Sequence, residues 1–129
     1  MSLTVPADLL EQASNGEVDD EQLVACVRTS LPYAWSVISD LAERLPSSSQ
    51  GFADNLVPPP GEAARGQLLR ALASDAMRGA LERHFGVRLA FQNCHRVAVF
   101  GPAAPEGAYA EFVSPRAQVL NQSPELADC

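Results

Sequence analysis

Three features of the sequence predict a mainly helical α+β fold: four or five helices, one of them long and central, with a short β-hairpin. The first is Glu62–Phe85, EAARGQLLRALASDAMRGALERHF, an unbroken helical pattern fenced by Pro58-Pro59-Pro60-Gly61 in front and Gly86 behind. The second is a change of period after Gly86. There Val87, Leu89 and Phe91 alternate with Arg88 and Ala90, and Arg96, Ala98 and Phe100 alternate with Val97 and Val99, the two-residue repeat of strands. The third is a pair of further helical patterns in the N-terminal third, punctuated by Asn15-Gly16 and Pro32.

Pro6 followed by Ala7-Asp8-Leu9-Leu10 opens the first helix, and Asn15-Gly16 closes it as a left-handed stop. Asp19 precedes Gln22 at the capping-box spacing, and Leu23, Val24, Cys26, Val27 and Leu31 carry the helical period that follows. Pro32 restarts the chain as a third helix to about Leu45, with Ala34, Ile38, Leu41 and Leu45 on one face. Residues 46–61, PSSSQGFADNLVPPPG, form a long Ser/Pro-rich connection whose proline trio is stiff polyproline II. A structureless loop of that length is uncommon and is either functional or disordered.

In the long helix, Leu68, Leu69, Leu72, Ala73, Ala76, Met77 and Ala80 share one half of the wheel. Gln67, Arg70, Ser74, Asp75, Arg78 and Glu82 occupy the other, with Arg78 and Glu82 spaced to pair. Gly66, Ala73 and Ala80 recur every seven residues, a row of small side chains suited to close helix packing, within the domain or across a dimer. Such a helix would run roughly 36 Å. Arg65 and Arg83 fall on its apolar side, where pairing with a carboxylate is the expected solution. After it, the strands flank Gln92-Asn93-Cys94-His95, a turn without glycine, so Asn93 must supply any positive φ. Ser114-Pro115 opens a last short helix through Leu120, and 122–129 is a polar tail.

The 129 residues suit one domain, and 47% apolar content with 6% aromatic implies a core of Leu, Val and Ala. All nine basic residues are arginine and the net charge is −7, which argues against a nucleic-acid partner and excludes a Schiff-base or phosphate-loop lysine. No stretch is long and apolar enough to span a membrane, and MSLTVPADLL has no signal-peptide pattern, so a cytoplasmic location without a membrane partner is expected. Cys26, Cys94 and Cys129 describe neither a disulfide framework nor, with His84 and His95, a zinc site, and no cofactor motif is present.

For chemistry, Cys94-His95 with Arg96 beside it is the pair that suggests a thiolate nucleophile, but neighbouring residues of a strand face opposite ways. His95 alone is a base, a ligand contact or a surface histidine. Gln92, Asn93, His95 and Arg96 put four hydrogen-bonding side chains in five positions, a density that suits gripping a peptide or carboxylates, or else a polar turn with no ligand. Asp75, on the polar face of the long helix, is either a base or, the far commoner case, a solvated carboxylate. No residue is assigned a catalytic or metal-binding role.

The stretches Ala64–Ala76 and Arg83–Phe100, with Leu31-Pro32-Tyr33-Ala34-Trp35, Ala53-Asp54-Asn55, Pro58-Pro59-Pro60 and Asn121–Leu126, resemble a small actinobacterial family of uncharacterised proteins. That family is identified with the proteins that close the lysinoalanine bridge of cinnamycin- and duramycin-type lanthipeptides. The resemblance implies a lysinoalanine synthase: a substrate lysine amine adds to a dehydroalanine of the same modified precursor peptide. The protein would work mainly by preorganising that peptide, as a homodimer, without a cofactor, in antibiotic biosynthesis. Ordering a flexible peptide contributes up to about 7–11 kcal/mol without a protein nucleophile. On this reading Trp35, Asn55, Arg70, Gln92, Asn93, His95 and Arg96 are substrate-binding groups. The alternative is a non-catalytic regulator that binds a peptide or protein.

Overall fold

A computed structural model describes residues 3–122. The N-terminal helices are α1 (Ala7–Ser14), α2 (Asp20–Ser30) and α3 (Pro32–Arg44), and a 3-10 turn (Leu45–Ser47) follows the last of these. Then come β1 (Phe52–Asp54), α4 (Glu62–Leu72), α5 (Asp75–Phe85), β2 (Arg88–Gln92), β3 (Arg96–Phe100), α6 (Ala108–Phe112) and α7 (Pro115–Leu120). The fold is therefore mainly helical α+β, as the periods predict. It has more helices than the four or five expected, because short α6 was not foreseen and the long helix is two. The tail assigned to 122–129, apart from Gln122, lies outside the described residues, as does Cys129.

The expected 36 Å rod breaks at Ala73-Ser74. Ser74 leaves helical geometry (φ −91°, ψ 123°) and its side chain accepts a hydrogen bond from the Met77 amide, an N-cap that satisfies one orphan donor of a new helix. Asp75 adds an acid to the first turn of α5, and Arg78 donates to the Leu72 carbonyl at 3.0 Å, closing the end of α4. The break rotates the second half of the wheel. Ala71, Leu72, Met77, Ala80 and Leu81 are buried, whereas Leu69, Ala73 and Ala76 are exposed. The row Gly66, Ala73, Ala80 is thereby scattered and is not a packing axis. Arg78 pairs with Asp75 and not with Glu82, whose carboxylate instead accepts from the Leu89 amide at 2.8 Å.

Phe52–Asp54 supplies a strand where a long connection was expected, so the hairpin becomes a three-stranded antiparallel sheet of order β1-β3-β2. Its register pairs Phe52 with Phe100 and Asp54 with Ala98 on one side, and Arg88 with Phe100 and Gln92 with Arg96 on the other. Alternation along β3 sends Val97 and Val99 into the helical layer and Ala98 and Phe100 to the opposite face. The main core joins these valines and Leu89 to Val27, Leu31, Ile38, Leu41, Leu68, Leu72 and Leu81, all under 2% exposed. Each such side chain contributes about 1.5–3 kcal/mol on burial. A smaller cluster on the other face packs Phe100 against Phe52, Tyr109 and Phe112, so α6 roofs the sheet.

Candidate functional site

The polar residues singled out in the turn do converge, and what they converge on is the protein itself. The turn runs through Asn93 (φ 53°) and Cys94 (φ 57°), with the His95 amide donating to the Gln92 carbonyl at 3.3 Å. Asn93 takes the positive φ that a glycine-free turn requires, and Cys94 shares it. Gln92 is buried, donates to the Phe112 carbonyl at 2.6 Å, and accepts from Asn121 at 3.4 Å. Asn93 donates to the Gln118 carbonyl at 2.9 Å and accepts from the Gln118 side chain. Arg96 pairs with Asp54 across the sheet and reaches Asn121 at 3.4 Å. Three neighbouring side chains thus tie α6 and α7 to the rim of the sheet.

Asn55 closes the other end. Its amide donates to the His95 carbonyl at 2.7 Å while its oxygen accepts from the Val97 amide at 2.8 Å, and its own backbone N–H reaches the Val97 carbonyl at 3.1 Å. One side chain therefore prolongs the β1–β3 ladder past the end of β1. His95 is buried, with Nδ1 2.5 Å from the Asn93 carbonyl oxygen, so it braces its own turn and is no surface base. Cys94 is disulfide-bonded, which the odd count and wide spacing of the cysteines did not suggest, and the bond removes the free thiolate that the Cys94-His95 pair needs.

Trp35 and Arg70 stand apart from this cluster. Trp35 lies on α3 against Phe85 at 5.2 Å and His84 at 5.6 Å, with the Arg28 guanidinium over its ring. That is a packing role at the meeting of α2, α3 and α5. Arg70 lies on α4, its guanidinium 3.8 Å from the Met77 sulfur. Arg83 does find its carboxylate, donating to both oxygens of Asp20 at 2.5 and 3.0 Å. That contact holds the Asp20 carboxyl below its ordinary range.

The clamp borders a cleft of about 310 Å³ lined by Phe52, Asp54, Arg96, Phe112, Arg116 and Leu120. Arg96 Nε, beside it, is buried with no hydrogen-bond partner among the described residues. A second groove, of about 350 Å³, lies between α3 and the loop after Asn55, with Tyr33, Val37, Asp40, Arg44, Leu56 and Val57 on its walls. Burial pushes the Tyr33 phenol up, so it stays neutral. Sequence reasoning passed over this groove, although adjacent Leu56 and Val57 ahead of three prolines were a signal. They are apolar, yet no periodic pattern assigns them to the core. Among the described residues no group of three or more His, Cys, Asp or Glu is placed to hold a metal ion, and no helix is long and apolar enough to cross a membrane.

Compared with models of known families, residues 1–129 match the family described as NucS shadow ORF. No curated protein and no solved structure matches. The family match overturns the resemblance to the lysinoalanine-forming proteins, and with it the lanthipeptide cross-linking function; nor does any comparison support a peptide- or protein-binding regulator. Gln92, Asn93, Asn55 and Arg96, expected to grip a peptide, grip α6, α7 and the turn.

Proposed function

The chain belongs to the NucS shadow ORF family, and on that premise we propose that it works as a folded self-assembling domain, a homodimer. Its polar cluster acts as an internal clamp and its working surface is apolar. The family description names an open reading frame by its relation to NucS and names no activity, so the reading rests on the molecule. The observation that carries it is the exposure of Leu56 and Val57, 82% and 75%. Scattered apolar residues at a surface are ordinary, but neighbours held together beside a groove mark a contact surface. Asn55 anchors them on one side, and on the other Pro59 is buried within the proline trio. The loop therefore presents both side chains to water on a fixed support.

One kind of nucleic-acid-binding module, the KH domain, clamps backbone nucleotides in a G-x-x-G loop. No two of this chain's eight glycines are three positions apart, and the net charge is −7. Both features support a protein that does not seek nucleic acid. Sedimentation equilibrium tests the assembly. A homodimer gives twice the 13.7 kDa of one chain, whereas a single 13.7 kDa species across the micromolar range contradicts the reading.

A further inference from the structure

We propose that the Cys94 disulfide is a redox latch on the hairpin turn. The oxidised bond holds the turn in the shape that docks α6 and α7, and its reduction by a dithiol releases them. The inference concerns the rim at the hairpin and does not depend on the homodimer reading. Among the described residues, the turn is the one place where side chains other than glycine take positive φ, Asn93 at 53° and the disulfide-bonded Cys94 at 57°. Asparagine tolerates that conformation. Cysteine has no such preference, so its backbone stays there only while its surroundings hold it.

What the turn holds in return is the docking of two short helices. On either side of Cys94, Gln92 donates to the Phe112 carbonyl at 2.6 Å, Asn93 to the Gln118 carbonyl at 2.9 Å, and Arg96 reaches Asn121 at 3.4 Å. Helices α6 and α7 have five and six residues, too short to persist on their own hydrogen bonds, so they depend on these anchors. The main core lies on the opposite face of the sheet and draws no residue from either helix. A loosened turn therefore acts on α6 and α7 and leaves the helical layer standing. A cross-link restricts the undocked state, so cutting it favours undocking.

The step is a thiol–disulfide exchange. One thiolate of the dithiol attacks the disulfide and forms a mixed disulfide, and its second thiol displaces the protein sulfur. The dithiol is oxidised by two electrons to its own disulfide, and both protein sulfurs end as thiols. Cys94 is half-buried at a turn, where a thiolate can approach. Cys26 takes no part: it is free, buried on α2, and its thiol donates to the Thr4 carbonyl at 3.2 Å.

The test is amide hydrogen exchange on the full chain, oxidised and in dithiothreitol, at one protein concentration. Reduction is expected to speed exchange of the Val113, Gln118 and Asn121 amides, which close the turns of α6 and α7, about tenfold or more. The Ile38 and Leu72 amides, inside the helical layer, are expected to keep their rates. Cys94→Ser is expected to exchange like the reduced chain and to ignore dithiothreitol, which separates the latch from any action on Cys26. Equal exchange of α6 and α7 in the two wild-type states overturns the proposal, and that comparison stands whether or not the variant folds. So does an acceleration that reaches Ile38 and Leu72 equally, because the bond would then support the whole fold. Three reactive thiols in the denatured, unreduced chain, all the cysteines it has, would overturn it as well.

Discussion

Asn55 occupies the position where a short strand runs out of backbone partners. Its side chain presents an acceptor to the Val97 amide and a donor to the His95 carbonyl, spaced like the peptide group it replaces. Removing it strands two groups at the rim of the sheet, so Asn55→Ala is expected to cost about 2–4 kcal/mol in urea unfolding. Unchanged stability would show that water replaces the side chain there. Gln67 does comparable work between helices. Leu31 offers no side-chain cap to α3, and the Gln67 oxygen accepts from the Tyr33 and Ala34 amides at 2.7 and 3.2 Å. Gln67→Ala is expected to lose about 1 kcal/mol, the ordinary worth of a cap. The Asp20–Arg83 pair gives a pH dependence whose sign follows from its geometry. The folded Asp20 carboxyl lies below its ordinary value of 3.8. The pair therefore stabilises the fold above that value, and the gain disappears as pH falls through the folded value. The acid-unfolding curves of wild type and Arg83→Gln are expected to converge below pH 3.8 and to separate above it.

At the scale of elements, legibility in the sequence depended on how local the deciding contacts were. The ends of α1, α2 and α7 were readable because each cap acts within a few residues: Gly16 at φ +86°, Asp19 to the Gln22 amide, Ser114 to the Ala117 amide. The other half of the predicted capping box does not form in that way. The Gln22 side chain accepts from Gln12 of α1, a partner no local pattern announces. The break between α4 and α5 was concealed because apolar residues keep the helical period straight through Ala73-Ser74. A serine three positions before Met77, with Asp75 next to it, was the signal available. Strand β1 was not legible because three residues are too few for alternation to register, and its partner β3 lies more than forty positions further on. The polar cluster was legible as a cluster. Its purpose was not, since Phe112, Gln118 and Asn121 reach it only through the fold. Gly51 fixes the approach of this segment to the loop after β3, at φ +76° with the site of a Cβ 2.6 Å from the Ala103 carbonyl. Gly51→Ala is expected to lower stability by about 3 kcal/mol or more, measured by thermal unfolding.

For the whole molecule, local signals and tertiary packing agree with one another. Ser74 and Ser114 stand where they cap helices, and Gly86 where the chain turns left-handed at φ +66°. The main apolar core joins the helices to the inner face of the sheet. Such consistency is what a foldable sequence shows. The same view separates two kinds of surface: the rim at the hairpin, where polar side chains are spent on the fold, and the α3 face, where apolar and charged groups are left over. Residue-resolved hydrogen exchange, compared above and below the dimer dissociation constant, tests that division most directly. The account predicts that the Leu56 and Val57 amides slow on association while the Asn55 and Val97 amides keep the same protection. Slowing confined to the Gln92–Arg96 turn, with Leu56 and Val57 unaffected, would contradict it.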